Sequence, residues 1–541
     1  MSEIQDLVYR RNTGRLAKAQ QPASQAVTVP PSVGGVNALD PLIAMPPQDC
    51  IYTYNLLPSE YGMRLRQGYR EWATGVGTTD TEVRTIIPYS GHNTASDKLF
   101  AVTADGIYDV SLFNTTVPSR EVVFSTTAND SGYMNWAEMT LDNDVQMLFA
   151  ADAENGLYAY SEATGAWSTP LFTGPTVSNI AQVNLFKQRL WVVEDGEAYA
   201  YYSAVDSVAG IMTKFTFGSK FRYGGELVGT WTWTFDGGQG VNDFLVAVSR
   251  GGDVLLYQGS DPSLEDFEVI GAWYIGELPD SRNVAVQHGG EFYLLSTFGL
   301  VSLRDLVQGV GISEADTPAK KINRILREDV ISKKTDYGWS VRAHPSDGFL
   351  QIIAPYGSEP DAVQYTQNLQ TSAWGYWRNV PAKCADTWNA DYYIGSTDGR
   401  VFQYYGQLDN TTLAGEEGVA ISFSTLTSFQ PYGNHGTYKM AGMFRVIGVT
   451  AGDTTYSIKS VYDYDLLAQA VDPLSPDATG GALWDAAVWD TAIWDSQLTG
   501  AAQLFGGQNY GRTIAVAMKG ESTSRVTIVG WDMTVTEGGF L

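Results

Sequence analysis

The sequence is poor in the residues that carry most enzyme and metal chemistry. Its 541 residues include only two cysteines, Cys50 and Cys384, and four histidines, at positions 92, 288, 344 and 435. Two distant cysteines exclude a disulfide framework and a cysteine-rich zinc site. No histidine belongs to an HExxH pair, and no GxSxG elbow or GxxxxGK[ST] phosphate loop occurs. We therefore predict a protein that is not an enzyme and that has no catalytic, cofactor or metal site.

Long apolar segments are also missing. No apolar run approaches the roughly 18 residues that a membrane-spanning helix requires. The first residues, MSEIQDLVYRRNTGRLAKAQ, lack the apolar core of a signal peptide. We expect a chain that is synthesised in the cytoplasm and has no membrane span.

Basic residues are scarce relative to acidic ones. Lys and Arg number 34 against 60 Asp and Glu, which gives a formal charge of −26. Such a surface repels phosphate and argues against sequence-specific DNA binding. An acidic wall along which DNA passes without being held remains compatible with this charge, and so does plain solubility.

The residues that are abundant favour an all-β fold. Hydrophobic residues make up 44% and charged residues 17%, which is enough apolar material for a packed core. The 31 Tyr, 15 Trp and 56 Gly are typical of strands joined by tight turns. We conclude that most of the chain is folded and rich in β-strands.

A strand–glycine turn–strand pattern recurs from about residue 95. The turns are centred on Gly106, Gly156, Gly196, Gly252, Gly299, Gly357 and Gly399. Successive gaps are 50, 40, 56, 47, 58 and 42 residues, close to the roughly 40–50 residues of a four-stranded propeller blade. The pattern predicts a β-propeller of about seven blades, with six or eight as alternatives. Unrelated hairpins in sandwiches are the other explanation.

The pattern divides the chain into three parts. Residues 1–45 form an extended N-terminal arm, which either orders against a neighbouring subunit or stays disordered. Residues 46–410 form the β-propeller, with a helical insertion at about 313–334, and residues 411–541 form a C-terminal β-sandwich. The insertion carries a basic face that either contacts an acidic neighbour or is simply solvated; its residues are Lys320, Lys321, Arg324 and Arg327.

A repeat of Trp followed by Asp lies within the predicted sandwich. Trp484, Trp489 and Trp494 recur every five residues, which fits neither a helix nor a strand. We interpret the stretch as a run of turns. Its indoles pack either on their own sandwich or on a partner subunit.

Residues 34–75 resemble the opening of the tail nozzle, or stabilisation, proteins of short-tailed bacteriophages. The matching positions are Gly34, Gly35, Asn37, Asp40, Pro41, Met45, Pro46, Pro47, Asn55, Pro58, Arg64, Arg66, Gly68 and Tyr69. The Trp-Asp repeat and the ending TIVGWDMTVTEGGF are also similar to these proteins. Between the two ends the resemblance rests on the propeller pattern alone.

The resemblance implies a structural virion protein of the phage tail. Its subunits would form a homohexameric ring below the portal and adaptor proteins, close the tail channel and guide genome ejection. Tail fibres or spikes could attach to its flank, and DNA would pass without specific binding. The matching residues, except Asn55 and Pro58, and the three Trp residues are then assembly-interface candidates. Arg64 and Arg66 would share one face of a strand and either pair with a neighbour's carboxylates or form a polar face.

Two other functions compete with the tail ring. The first is a receptor- or glycan-binding tail propeller, in which exposed Tyr and Trp side chains stack on sugars. The second is a glycan-cleaving enzyme with two convergent carboxylates in the propeller mouth. Residues 396–403, STDGRVFQ, resemble a sialidase Asp-box only in part, because the spacing differs and the trailing Thr-Trp is missing.

Overall fold

The computed structural model describes most of the chain. The described residues are 24–125, 130–236, 241–309, 317–356, 363–413, 418–450, 454–466, 499–500, 504–506 and 509–538. These residues are nearly all in strands and turns, so the predicted all-β class is confirmed. Across this part of the chain, no helix is long and apolar enough to cross a membrane.

Six strands precede the first blade in sequence. They are β1 (Ser24–Val29), β2 (Gly35–Val36), β3 (Asp49–Tyr54), β4 (Leu56–Ser59), β5 (Gly62–Leu65) and β6 (Tyr69–Ala73). Strands β1, β4 and β5 belong to a seven-stranded sheet with C-terminal strands, and β2 and β3 belong to a ten-stranded sheet. Strand β6 belongs to a separate four-stranded sheet, which is a blade of the propeller.

Antiparallel four-stranded sheets form the first four blades. Blade 1 contains β7 (Thr85–Tyr89), β8 (Lys98–Thr103), β9 (Gly106–Asp109) and β10 (Ser119–Val123). Blade 2 contains β11 (Asn135–Thr140), β12 (Gln146–Asp152), β13 (Gly156–Ser161) and β14 (Ala166–Ser168). Blade 3 contains β16 (Ile180–Phe186), β17 (Arg189–Glu194), β18 (Tyr199–Tyr202) and β20 (Thr213–Thr216), beside the short parallel pair β15 (Phe172–Thr173) and β19 (Gly210–Ile211). Blade 4 contains β21 (Leu227–Asp236), β22 (Val241–Ser249), β23 (Asp253–Gln258) and β24 (Glu268–Tyr274).

The last three blades deviate from this plan in different ways. Blade 5 has the three strands β25 (Ala285–His288), β26 (Glu291–Ser296) and β27 (Gly299–Ser302). Blade 6 contains β28 (Ser340–His344), β29 (Phe349–Ile353), β30 (Gln364–Asn368) and β31 (Trp374–Trp377). Blade 7 contains β32 (Cys384–Trp388), β33 (Asp391–Gly395) and β34 (Val401–Tyr404), and its fourth strand is β6 from the N-terminal region. The described residues therefore form seven blades, and pairing of β6 with β34 joins the two ends of the propeller chain.

Among the described residues, the predicted glycine turns mark one hairpin in six of the seven blades. Six of them join the second and third strands of a blade; they are Gly106, Gly156, Gly196, Gly252, Gly299 and Gly399. Gly357 lies outside the described residues. At Gly156 the backbone has φ of +76°, a conformation that a side chain disfavours, and this explains the glycine.

In the first four blades, an acidic residue of this hairpin connects the blade to the segment that leads into its innermost strand. In four blades, a carboxylate accepts a hydrogen bond from a backbone N–H of that segment. The pairs are Asp105 with Thr78 at 2.9 Å, Asp152 with Gly132 at 2.8 Å, Glu194 with Thr176 at 2.6 Å, and Asp253 with Tyr223 at 2.6 Å. These carboxylates therefore do more than favour the turn, since each accepts a hydrogen bond from a backbone donor that would otherwise be unsatisfied.

We expect Asp105→Asn to lower the free energy of unfolding by about 1–3 kcal/mol at neutral pH, because buried donors lose a charged acceptor. Burial opposes ionisation of Asp105, but hydrogen bonds from Thr103, Thr78 and Thr79 keep its pKa below the usual value. A lowered native pKa stabilises the fold above the unfolded-state pKa of about 3.9, and this contribution is lost as pH falls further. Urea unfolding at pH 7 and below pH 4 should show the difference from wild type shrinking in acid. Asp266→Asn, at an exposed carboxylate, is the control, and an equal effect of both variants would contradict the prediction.

The insertion between blades 5 and 6 contains two helices, α1 (Leu303–Val307) and α2 (Asn323–Ser332). The predicted helix over 313–334 is thus shorter, with only its second half helical among the described residues. Ile322, Leu326 and Val330 of this segment are fully buried in the largest apolar cluster. The Asn323 amide donates to the Phe298 carbonyl at 3.1 Å, so α2 lies against the outer side of the three-stranded blade 5.

The C-terminal strands form two sheets that face each other. They are β35 (Leu408–Asp409), β36 (Val419–Thr427), β37 (Lys439–Thr450), β38 (Thr454–Tyr462), β39 (Thr499–Gly500), β40 (Leu504–Gly506), β41 (Ile514–Ser522) and β42 (Val526–Glu537). The core between the sheets contains Met63, Phe444 and Trp531, which are fully buried. This arrangement is the predicted C-terminal β-sandwich.

The sandwich includes N-terminal strands and is joined directly to the propeller. Strand β3 pairs with β31 of blade 6 on one side and with β36 on the other, so blade 6 and one sandwich sheet are continuous. Residues 49–65, placed in the propeller by the sequence pattern, therefore lie in the sandwich sheets. Strands β3 and β5 of this segment pair with β36 and β42, which are hundreds of residues away, so no local pattern predicts this placement.

Candidate functional site

Side chains close the central axis of the propeller. The Asn283 amide, just before the innermost strand of blade 5, donates to the Met134 carbonyl of blade 2 at 3.0 Å. The Arg342 guanidinium of blade 6 lies 4.9 Å from the centre of the Trp136 ring, also in blade 2. These contacts join blades on opposite sides of the axis. Duplex DNA, whose major groove alone is about 12 Å wide, cannot pass through this propeller.

The charged groups around the axis neutralise one another. Arg342 pairs with Asp386 at 2.9 Å, Lys383 with Glu82 at 3.3 Å, and Arg84 with Asp80 at 2.9 Å. Burial raises the pKa of Asp386, although Arg342 acts against this. Because each carboxylate faces a cation, this arrangement serves to hold the blades together rather than to bind a charged ligand.

The cysteines and histidines occupy separate, mostly structural positions. Cys50 and Cys384 are buried, and burial raises the pKa of both thiols, which disfavours the reactive thiolate. His344 is buried with Nδ1 3.2 Å from the Thr387 hydroxyl, and burial lowers its pKa. Within the described ranges, no group of three or more His, Cys, Asp and Glu side chains could hold a metal ion.

The N-terminal interface candidates form a loop on a buried polar anchor. Asp49, 2% exposed, accepts hydrogen bonds from the Asn37 amide at 2.6 Å and from the Lys321 ammonium at 2.7 Å. Asn37 also donates to Asp40 at 2.8 Å. Gly35 is packed so closely that an added Cβ would lie 2.5 Å from the Trp374 carbonyl oxygen. The anchor explains Gly35 and Asn37 as residues that fix the loop, while Gly34 contributes its carbonyl to Lys321.

The loop above this anchor presents apolar side chains to solvent. Ile43 is 73% exposed and Leu39 is 47% exposed. Pro41, Pro46 and Pro47 are exposed as well, whereas Met45 is buried. We call residues 39–47 the apolar loop. Exposed aliphatic and proline side chains held on a rigid base are typical of a protein–protein contact.

The remaining sequence-derived candidates lie inside the subunit or outside the described residues. Arg64 pairs with Asp347 at 2.7 Å, and Arg66, with a fully buried side chain, pairs with Asp409 at 2.6 Å. The two arginines thus have partners within their own chain and do not share a face, because β5 ends at Leu65. Gly68 and Tyr69 are buried at the junction of β6 with blade 7. Trp484, Trp489 and Trp494 lie outside the described residues.

The basic face predicted for the insertion is divided. Lys321 binds Asp49, and the Arg327 guanidinium donates to the Thr297 carbonyl at 3.1 Å. Lys320 and Arg324 are exposed. Half of this basic set therefore serves the fold of its own chain.

A groove that the sequence analysis missed lies between α2, β3 and the outer strands of blade 6. It has a volume of about 620 Å³ and is lined by five tyrosines, Tyr52, Tyr54, Tyr356, Tyr365 and Tyr376. We call it the tyrosine groove. Its tyrosines come from separate segments of the chain, so no sequence motif could have revealed it.

The fold defines the chain as a β-propeller protein with an attached β-sandwich. The sequence matches no family model and no curated protein sequence. Among solved structures, it is similar to the WD40 β-propeller domain of Doa1, with 12% identity and a TM-score of 0.37 over 63% of this chain and 97% of that one. It is also similar to the extracellular domain of a one-component system from B. thetaiotaomicron, with 12% identity and a TM-score of 0.41 over 70% of this chain and 44% of that one. The computationally designed Ika8 protein matches with 8% identity and a TM-score of 0.32 over 62% of this chain and 99% of that one.

Proposed function

We propose that this chain is a non-enzymatic structural subunit of a bacteriophage tail. Six copies would form the ring-shaped nozzle below the portal and adaptor proteins, close the tail channel and guide the genome out. Tail fibres or spikes could attach at its flank. The subunit would be made in the host cytoplasm and end in the virion.

The apolar loop is the observation that carries this proposal. It lies within residues 34–75, where the resemblance to nozzle proteins is sharpest, and exposes Ile43 on a buried polar base. A rigid apolar projection of this kind suits a permanent contact between subunits or with an adaptor better than it suits a freely soluble monomer.

The closed propeller axis determines where DNA would pass. Since side chains of opposite blades meet on the axis, a DNA path has to run between subunits. A charge of −26 on each copy would repel DNA from the walls of that path. The continuous sheet from blade 6 into the sandwich would supply stiffness to such a wall.

The mass of the purified protein tests the ring, both alone and with portal and adaptor components. We expect a sixfold assembly, or one that forms only with those partners, and six-fold rings in particle images. Ile43→Asp should weaken assembly by about tenfold or more, because burying an isoleucine contributes about 1.5–3 kcal/mol. Leu264→Asp, at a residue 56% exposed in a loop of blade 4, is the matched control and should leave assembly unchanged.

Two results would contradict the proposal. One is a persistent monomer or trimer that ignores tail components and binds surface polysaccharide, which would favour a receptor-binding propeller. The other is turnover of a polysaccharide by the purified chain, which would favour a glycan-cleaving enzyme.

A further inference from the structure

The tyrosine groove is an open, largely aromatic surface that none of the residues described in the structure occupies. We propose that the groove of one copy binds the N-terminal segment 1–23 of a neighbouring copy, through its sequence Leu7-Val8-Tyr9-Arg10-Arg11. The inference rests on the proposed ring and deepens it by naming a contact between subunits.

The floor of the groove suits a peptide with apolar side chains. The rings of Tyr54 and Tyr376 are 5.6 Å apart, and those of Tyr376 and Tyr365 are also 5.6 Å apart, so they form a continuous aromatic surface. Ile325 and Val363 add aliphatic surface to its lining. Aliphatic and aromatic side chains, such as those of Leu7, Val8 and Tyr9, bury apolar area well against such a surface.

One polar group in the groove lacks a partner. Tyr376 is 5% exposed, and its hydroxyl has no hydrogen-bond partner among the described residues. Burial raises the pKa of Tyr376, so the hydroxyl stays protonated. The hydroxyl is itself buried, so Tyr376 contributes aromatic surface to the groove rather than an accessible hydrogen-bond donor. The neighbouring Tyr365 differs, because its hydroxyl already donates to Asp329 at 3.1 Å.

The rim of the groove suits arginine. The Arg378 guanidinium already lies 3.6 Å from the centre of the Tyr54 ring, which shows that a guanidinium stacks well on this aromatic surface. Glu328 is exposed on the α2 side of the groove. An incoming Arg10 or Arg11 could therefore stack on a tyrosine and pair with this carboxylate.

The charge of the N-terminal segment matches this site. Residues 1–23 contain the four basic residues Arg10, Arg11, Arg15 and Lys18. They contain only two acidic residues, Glu3 and Asp6, in a chain whose overall charge is −26. A basic segment on an acidic protein is attracted to the acidic surface of a neighbour, in addition to any apolar contact.

Residues 1–23 precede β1, whose first residue Ser24 pairs with Thr536 near the end of β42. Fully extended, 23 residues span up to about 75 Å, which is enough to reach an adjacent copy.

Disulfide cross-linking between two differently labelled full-length chains tests this contact. One chain carries Asn12→Cys and the other carries Ser332→Cys, at an exposed residue in the wall of the groove. The native cysteines are buried and give little background. After co-assembly and mild oxidation, we expect about tenfold more cross-linked heterodimer than with Ser263→Cys as the acceptor, because docking raises the local concentration of the pair.

Charge reversal provides the second arm of the test. Arg10→Glu and Arg11→Glu, added together to the Asn12→Cys chain, should lower cross-linking at Ser332→Cys to the level seen with Ser263→Cys. The double substitution should leave the propeller and the sandwich folded. Rings that form with equal cross-linking at Ser332→Cys and Ser263→Cys would overturn this inference and leave the proposed ring intact. A cross-link confined to one chain carrying both cysteines, or oligosaccharide binding in the groove of assembled rings, would also overturn it. Failure to form rings at all would contradict the proposed function itself.

Discussion

Arg66→Ala is expected to lower the free energy of unfolding by about 3–5 kcal/mol, because it leaves the buried Asp409 carboxylate without its cation. Two Arg66 nitrogens donate to the two Asp409 oxygens, each at 2.6 Å. A third bond runs from Arg66 Nε to Asn55 Oδ1 at 3.0 Å. The side chain of Arg66 has no exposure to solvent, so water cannot replace these partners. Chemical denaturation followed by tryptophan fluorescence would measure the change.

Arg64→Ala is the matched control for this prediction. Its side chain is 39% exposed, and its main partner is Asp347 at 2.7 Å. Solvent screens such a pair, so we expect a loss below about 1 kcal/mol. Equal decreases in the free energy of unfolding for the two variants would show that burial of Arg66 does not increase its contribution to stability. If Arg66→Ala instead abolished ring assembly without affecting stability, it would act as an interface residue, as the sequence pattern allowed.

The sequence predicts the parts of the fold that are encoded locally. In five blades the glycine of the hairpin between the second and third strands has a positive φ, as at Gly156, and such turns recur at blade spacing because these blades repeat the same hairpin. The alternation of apolar and polar residues after residue 410 likewise predicts the strands of the sandwich. These signals need only a few neighbouring residues, and the predicted all-β propeller and sandwich are therefore confirmed.

Features that depend on pairing between strands far apart in the chain could not be predicted from the sequence. Strand β6 completes blade 7 by pairing with β34, more than 300 residues later, and nothing in the sequence of either strand identifies its partner. The position of Arg66 shows the same limit on a smaller scale. A strand period places it beside Arg64, but β5 ends at Leu65, and the chain then turns the guanidinium inward.

The candidate site also contains one part that is encoded locally and another that depends on distant strands. Proline spacing indicates an exposed, turn-rich segment, and the apolar loop at 39–47 is such a segment. The tyrosine groove combines side chains from β3, β31 and the start of β30, and these are brought together only by the ten-stranded sheet. The closed axis likewise depends on contacts between opposite blades, so its consequence for DNA could be drawn only from the fold.

Gly68→Ala is expected to destabilise the closure of the propeller by about 3 kcal/mol or more, since the added methyl group meets backbone that cannot move aside. A Cβ at this position would lie 1.9 Å from the Leu408 carbonyl oxygen and 2.7 Å from its nitrogen. Gly68 stands directly before β6, where its carbonyl accepts from Tyr405 N–H at 2.9 Å. Relief of the clash therefore has to move the chain just before β6 away from Leu408 of β35, which disturbs the neighbouring pairing of β6 with β34.

The position of the damage distinguishes this prediction from general instability. Loss of the β6–β34 pairing opens the ring between blades 7 and 1, so limited proteolysis should cut first around residues 66–75 and 404–413. Unfolding in urea should begin at a lower concentration than in wild type. Gly506→Ala is the control, because an added Cβ there meets no atom of the described part of the chain within 4 Å. A Gly68→Ala protein with wild-type stability and no new cleavage in these two segments would show that the N-terminal strand does not hold the propeller closed.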